Sequence, residues 1–173
     1  LCCEKVPVDK IVREHGSPVY VYSQRTLTEH FQRLDAALGL ADRLICYAVK
    51  ANSNLAVLRT LADLGSGFDI VSEGELRRVM AAGGDPGRCV FAGVGKTARE
   101  IEFALRQGIY CFNVESEPEL ERINPRAVER LYRAAQLMGM TAAGLDMSLS
   151  SLEAAALIDQ EPLVLEREVQ ADL

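Results

Sequence analysis

From residue 44 onward the chain repeats one unit about every 22 residues, and this rhythm restricts its fold more than any other feature. Each unit has a short apolar run, a polar turn, an amphipathic stretch and a closing glycine. The runs are LICYAV (44–49), GFDIV (67–71), CVFAG (89–93) and IYCFNV (109–114). Nearly unbroken apolar character is what strands need when both faces of a parallel sheet are covered. Ser72-x-x-Glu75, Thr97-x-x-Glu100 and Ser116-x-x-Glu119 follow three of the runs. In such a box a hydroxyl accepts from an orphan helix N–H and the carboxylate reaches back to the cap. The helices they open place Leu76, Val79 and Met80, then Ile101, Ala104 and Leu105, on one face, and Gly83 and Gly108 end them. Leu55, Leu58 and Leu61 mark a further helix before Gly65. Strand and helix in strict alternation predict an α/β fold: a parallel sheet with right-handed crossovers, either an open doubly wound sheet or the wall of a (β/α)8 barrel.

The flanks differ. PVYVYS (18–23) alternates and is predicted to be a strand. Thr26-x-x-Glu29 is predicted to open a helix carrying Leu27, Phe31, Leu34 and Leu38 and ending at Gly39. After Asn124-Pro125 the rhythm changes, and a separate helix is expected from Ala127 to Met138. These patterns divide the chain into a repeat-bearing unit, 1–124, and a mainly helical tail, 125–173, with room for two short strands.

Bulk properties exclude several function classes. A net charge of −6 and no Lys/Arg run argue against a nucleic-acid binder. No stretch reaches the roughly 18 to 20 apolar residues of a membrane span, and the N-terminus lacks a basic start followed by an apolar stretch, so a cytoplasmic protein is expected. Cys46, Cys89 and Cys111 sit in apolar runs, as buried thiols do. Cys2 and Cys3 have no second Cys/His pair at ligand spacing, so no metal site is expected.

In parallel α/β folds, ligands bind beyond the carboxyl ends of the strands. That rule selects Lys50, Asp69, the loop Gly93 to Thr97, and Glu115. A lysine leaving an apolar strand there can lose its charge by desolvation and become an imine-forming amine. By spacing alone a solvated lysine is the commoner case, as is an aspartate that caps a helix or pairs with arginine. GVGKT is not a Walker loop, because Val90 stands where the first glycine is required. Thr97 reads instead as a helix cap. His15 and His30 have no nucleophile at a motif spacing and read as helix-surface residues.

With those positions in place, the sequence resembles the fold-type III pyridoxal-phosphate (PLP) decarboxylases. The matching strings are HGSPVYVYS (15–23), YAVKANSN (47–54), GFDIVSEGEL (67–76), FAGVGKTAREIEFAL (91–105) and FNVESEPEL (112–120). YAVKAN is the most specific, since in this family its lysine bonds covalently to the cofactor. The resemblance covers about 1–124. It implies an alanine-racemase-like (β/α)8 barrel and PLP as cofactor. Lys50 is then the catalytic, cofactor-holding lysine, Asp69 is a cofactor-site residue, and a small amino acid is the substrate. It gives Lys96 and Glu115 no catalytic task, so both keep a structural reading. A racemase or a small cofactor carrier on the same barrel type matches the GFDIVSEGEL and FNVES strings less well.

The departures bear on activity. The family continues with a ring-stacking histidine, a glycine-rich phosphate loop, a glutamate for the pyridine nitrogen and a C-terminal β domain. None of these motifs follows Asn124. The tail has a faint likeness, at AAQLMGMTAAGLDM and PLVLE, to the end of ATP-grasp ligases. A barrel of this type takes about 250 residues, so four strands make about half its wall. The expectation is a partial barrel that associates with itself or a partner chain or covers its open face with the tail, binds PLP weakly or not at all, and turns nothing over alone. The alternative is a non-catalytic half-barrel remnant or PLP-binding module.

Overall fold

A computed structural model describes residues 1–39 and 43–137, with side chains through residue 127. The chain begins with a two-stranded antiparallel hairpin, β1 (Cys2–Cys3) and β2 (Val6–Pro7), and runs into α1 (Val8–His15) and α2 (Gln24–Leu38). The alternating part then reads β3 (Cys46–Ala48), α3 (Leu55–Asp63), β4 (Gly67–Ile70), α4 (Glu73–Ala81), β5 (Cys89–Phe91), α5 (Ala98–Gln107), β6 (Cys111–Phe112) and α6 (Glu117–Leu137).

The four strands β3 to β6 form one sheet, all parallel, in the order of the sequence. Sequential order, with the helix layer on one side, is the arrangement of a barrel wall; an open doubly wound sheet reverses its order and carries helices on both faces. The fold class is therefore a partial (β/α)8-type barrel. Residues in register across parallel strands share a face, so Tyr47, Phe68, Ile70, Cys89, Phe91 and Phe112 point one way. All but Tyr47 are fully buried, against Leu58, Leu61, Leu76, Val79, Ile101 and Leu105 of the helices. Phe91 and Phe112 stack with centroids 5.7 Å apart. The opposite face carries Cys46, Ala48, Gly67, Asp69, Val90 and Cys111, which are small except for valine and aspartate.

Caps account for most of the helix boundaries. Thr97 and Glu100 make a full capping box at α5, and Gly108 closes that helix in the left-handed conformation. Ser72 caps α4 through Glu75 N, while the Glu75 carboxylate reaches one residue further back, to Val71 N. At α2 the cap is Ser23, three residues ahead of the expected Thr26, whose own N–H donates to the Ser23 hydroxyl.

Three expectations are corrected. Residues 18–23 form no strand: a strand needs a ladder, and none pairs with them among the described residues. Tyr20 and Tyr22 stay exposed there. The helix expected from 127 is one with the helix before it, because α6 runs through Pro125. Ile123 and Ala127, one turn apart and buried on either side of the proline, keep this helix on the core, and that burial offsets a penalty of roughly 3 kcal/mol for an interior proline. The strands are also shorter than the apolar runs. Most of the expected tail, residues 138–173, and its likeness to ligases lie outside the described residues. Among the described residues no helix is long and apolar enough to cross a membrane.

Candidate functional site

Beyond Ala48 the chain leaves β3 through a single 3-10 turn, Val49–Ala51, which sets Lys50 at the carboxyl edge of the sheet. Val49, fully buried, anchors the turn, and Lys50 is exposed. The desolvation expected from its apolar strand is thus absent, because the strand ends two residues before the lysine. The segment that follows is braced from several sides. Tyr47 Oη donates to the Asn52 carbonyl at 3.3 Å, and Arg78 donates to the Ser53 carbonyl at 3.2 Å. Asn52 Oδ1 accepts from Asn54 N, and Asn54 in turn caps α3 through Ala56 N.

Asp69 lies on β4 in register with Ala48, on the face of small residues. Its Oδ1 is buried and accepts no hydrogen bond from any described residue. Burial raises its pKa above the ordinary aspartate value, and the nearby charge of Lys50 pulls it partly back. A buried oxygen without a donor is rare in a finished structure and marks a place that a ligand or a further part of the molecule completes. The two sequence-selected residues are therefore brought to the same edge of neighbouring strands. An amine at this edge fits the aldehyde end of a pyridoxal group, and the orphaned carboxylate oxygen can accept from a donor on the same group.

The raised pKa has a consequence for stability. A carboxyl whose folded pKa exceeds its unfolded value takes stability away as pH rises through the carboxylate range, and leaves stability unaffected well below it. Asp69→Asn is expected to raise the melting temperature by a few degrees at about pH 7 and to leave it unchanged near pH 3. Thermal denaturation at the two pH values checks this; an equal shift at both would contradict it.

The remaining residues at this edge serve structure. Thr97 caps α5, as expected. Lys96 is fully buried and pairs with Glu119 at 2.8 Å. Glu119 was expected to complete a capping box with Ser116. Its Oε2 does reach back, to Glu115 N one residue beyond the expected cap, while Oε1 takes Lys96 Nζ. Sequence reasoning missed this pair, since the partners are 23 residues apart and each had a plausible local role. His15 and His30 are exposed on α1 and α2.

This fold and this lysine define a class. Residues 24–151 match the model of the pyridoxal-dependent decarboxylase, pyridoxal binding domain, and the chain belongs to that family. Among its relatives, the diaminopimelate decarboxylase of Vibrio cholerae is 60% identical over 129 residues, which is 75% of this chain and 31% of the relative. That of Neisseria meningitidis serogroup B is 53% identical over 135 residues, 78% of this chain and 32% of the relative. The crystal structure of diaminopimelate decarboxylase from Helicobacter pylori complexed with L-lysine superposes with a TM-score of 0.65 at 44% identity, over 72% of this chain and 32% of that one. The chain thus spans about a third of the length of the relatives it matches.

Proposed function

We propose that this chain supplies the lysine-bearing half of a PLP-dependent decarboxylase site for a small amino acid, diaminopimelate first among the candidates. Lys50 would hold the cofactor covalently and Asp69 would stand beside it. The observation that supports this reading is that Lys50 and the orphaned Asp69 oxygen lie at the same carboxyl edge, on neighbouring strands of a barrel wall. When bound, PLP supplies an electron sink for the pair left by a departing carboxylate. The chain's own residues prepare for it. The 3-10 turn and its braces fix where Lys50 Nζ can reach. Asp69 Oδ1, buried without a donor, can accept a hydrogen bond from the bound group.

Four strands leave the small-residue face without the rest of a barrel wall among the described residues. We therefore place this face against a second copy or a partner chain; light scattering should show a species heavier than one chain. A cytoplasmic location accords with Cys89 and Cys111 lying buried in apolar strands, as reduced thiols do. The second reading, a PLP-binding module without turnover, is favoured by the same incompleteness.

The test has two arms. With PLP in large excess, the protein should develop a visible absorption band that borohydride bleaches, and absence of the band would overturn the reading. With diaminopimelate, ornithine or arginine, the 173-residue chain alone should release no carbon dioxide above background. Lys50 and Asp69 would position the cofactor, while the motifs for a phosphate site and for an acidic partner of the ring nitrogen are not recognised in the sequence among the described residues. Robust release would contradict the half-site account.

A further inference from the structure

The turns at the carboxyl edge are laced to one another in a regular way. The turns that follow β3, β4 and β5 are each bonded by a side chain from the next unit along the sheet. The segment after β3 is held by Arg78 of α4, through the Ser53 carbonyl. The start of α4, after β4, donates Glu73 N to Glu100 of α5 at 3.1 Å. The loop after β5 is held twice, by Gly93 N donating to Glu115 at 2.7 Å and by Lys96 pairing with Glu119 of α6.

The last link is the strongest. Lys96 Nζ donates to the Gly93 carbonyl at 2.7 Å, the Asn113 carbonyl at 2.8 Å and Glu119 Oε1 at 2.8 Å, which uses all three of its N–H donors. Glu119 Oε2 accepts from Glu115 N at 2.8 Å. The side chains of Lys96 and Glu119 are 0% and 6% exposed, so this is a desolvated pair with every bond satisfied. Such a pair contributes little net stability over a well-packed apolar pair, but it fixes geometry. What it fixes is the loop after β5. The Ala92 N–H there bonds to the Ile70 carbonyl at 2.8 Å, and Gly93 packs on Val71, two residues beyond Asp69.

We propose that Lys96 and Glu119 are positioning residues that hold the turns after β5 and β6 as a preordered rim for the pyridoxal site. This rests on the function proposed above. The pair keeps the loop that flanks the Asp69 strand from closing over or drifting from the place where the cofactor meets Lys50.

The experiment uses the full chain, Glu119→Gln, and the double variant Lys96→Met with Glu119→Leu, which replaces the pair by apolar groups of similar size. Removing one partner alone strands a buried charge and can unfold the protein; the double change avoids this. Two readouts are taken at a temperature where the variant stays folded by circular dichroism. The first is amide hydrogen exchange without cofactor. The amides of Gly93 and Glu115 should exchange at least about tenfold faster in the double variant, while those of Phe68 and Ile70 stay unchanged. The second is borohydride-fixed pyridoxyl on Lys50 at a fixed, subsaturating PLP concentration, which should fall about tenfold. Unchanged exchange at Gly93 and Glu115 overturns the inference, whatever the labelling. Faster exchange with labelling equal to wild type also overturns it, leaving the pair merely structural. If wild type itself takes no label, the proposed function fails, and the exchange result alone decides whether this pair holds the rim.

Discussion

Lys50→Ala is expected to abolish covalent retention of PLP, with the borohydride-fixed signal falling to background. The chain has four lysines, at positions 5, 10, 50 and 96. Lys96 has no spare donor and no exposure. Lys5 lies in the hairpin turn, and Lys10 lies on α1 within 3.8 Å of Glu14. Lys50 is exposed at the carboxyl edge, and its charge acts on the Asp69 carboxylate. Because Lys50 is exposed, its replacement should change folding stability by no more than about 0.5 kcal/mol, so loss of label would report chemistry rather than unfolding. Lys50→Arg serves as the control. It keeps the positive charge near Asp69 but cannot form an imine, and should be as silent as alanine. Residual label above a tenth of wild type in either variant would contradict the assignment.

The second large effect falls on the sheet. Gly67→Ala is expected to destabilise the protein by about 3 kcal/mol or more, read by chemical denaturation. A Cβ at this position would lie 2.6 Å from the Arg88 carbonyl oxygen, 2.8 Å from Cys46 Sγ and 3.0 Å from a Leu44 methyl. The first of these is backbone, tied to the 3-10 turn Pro86–Arg88 that leads into β5, and it cannot swing aside as a side-chain end does. Gly67 also begins β4 and donates to the Ile45 carbonyl at 2.9 Å, so a forced shift would open the β3 to β4 ladder. Gly95→Ala is the matched control. Nothing lies within 4 Å of its Cβ position and its φ is ordinary, so its cost should stay below about 1 kcal/mol. Equal costs at the two glycines would show that the sheet does not approach Gly67 as closely as described.

The repeating part of the fold was legible because its signals are local and agree with one another. The run around Phe68 and Ile70, the cap at Thr97 and the left-handed Gly108 each specify a boundary without reference to the rest of the chain. What could not be read depended on partners. PVYVYS has the alternation of a strand, but whether it pairs is decided by a neighbour the pattern does not name. Pro125 predicted a break, and the burial of Ile123 and Ala127 one turn apart outweighed it. Glu119 reads as the acid of a capping box because the box is defined by spacing; one of its oxygens does reach back, and a buried ammonium 23 residues away, which no spacing rule names, takes the other. Lys50 and Asp69 were selected by their place at the carboxyl ends of strands, and a family motif supplied their expected roles. The lysine proved more exposed than its strand implied, and the carboxylate had a feature no sequence pattern carries, an oxygen buried without a donor.

The central claim is that Lys50, alone among the lysines, is the residue that takes the cofactor. Peptide mapping of the wild-type chain after exposure to PLP and borohydride tests it most directly. The account predicts a pyridoxyl group on the peptide containing Lys50, with Lys5 and Lys10 labelled only at the level of a small unstructured amine and Lys96 unlabelled. Label distributed over Lys5, Lys10 and Lys50 in like amounts, or found at Lys96, would contradict it.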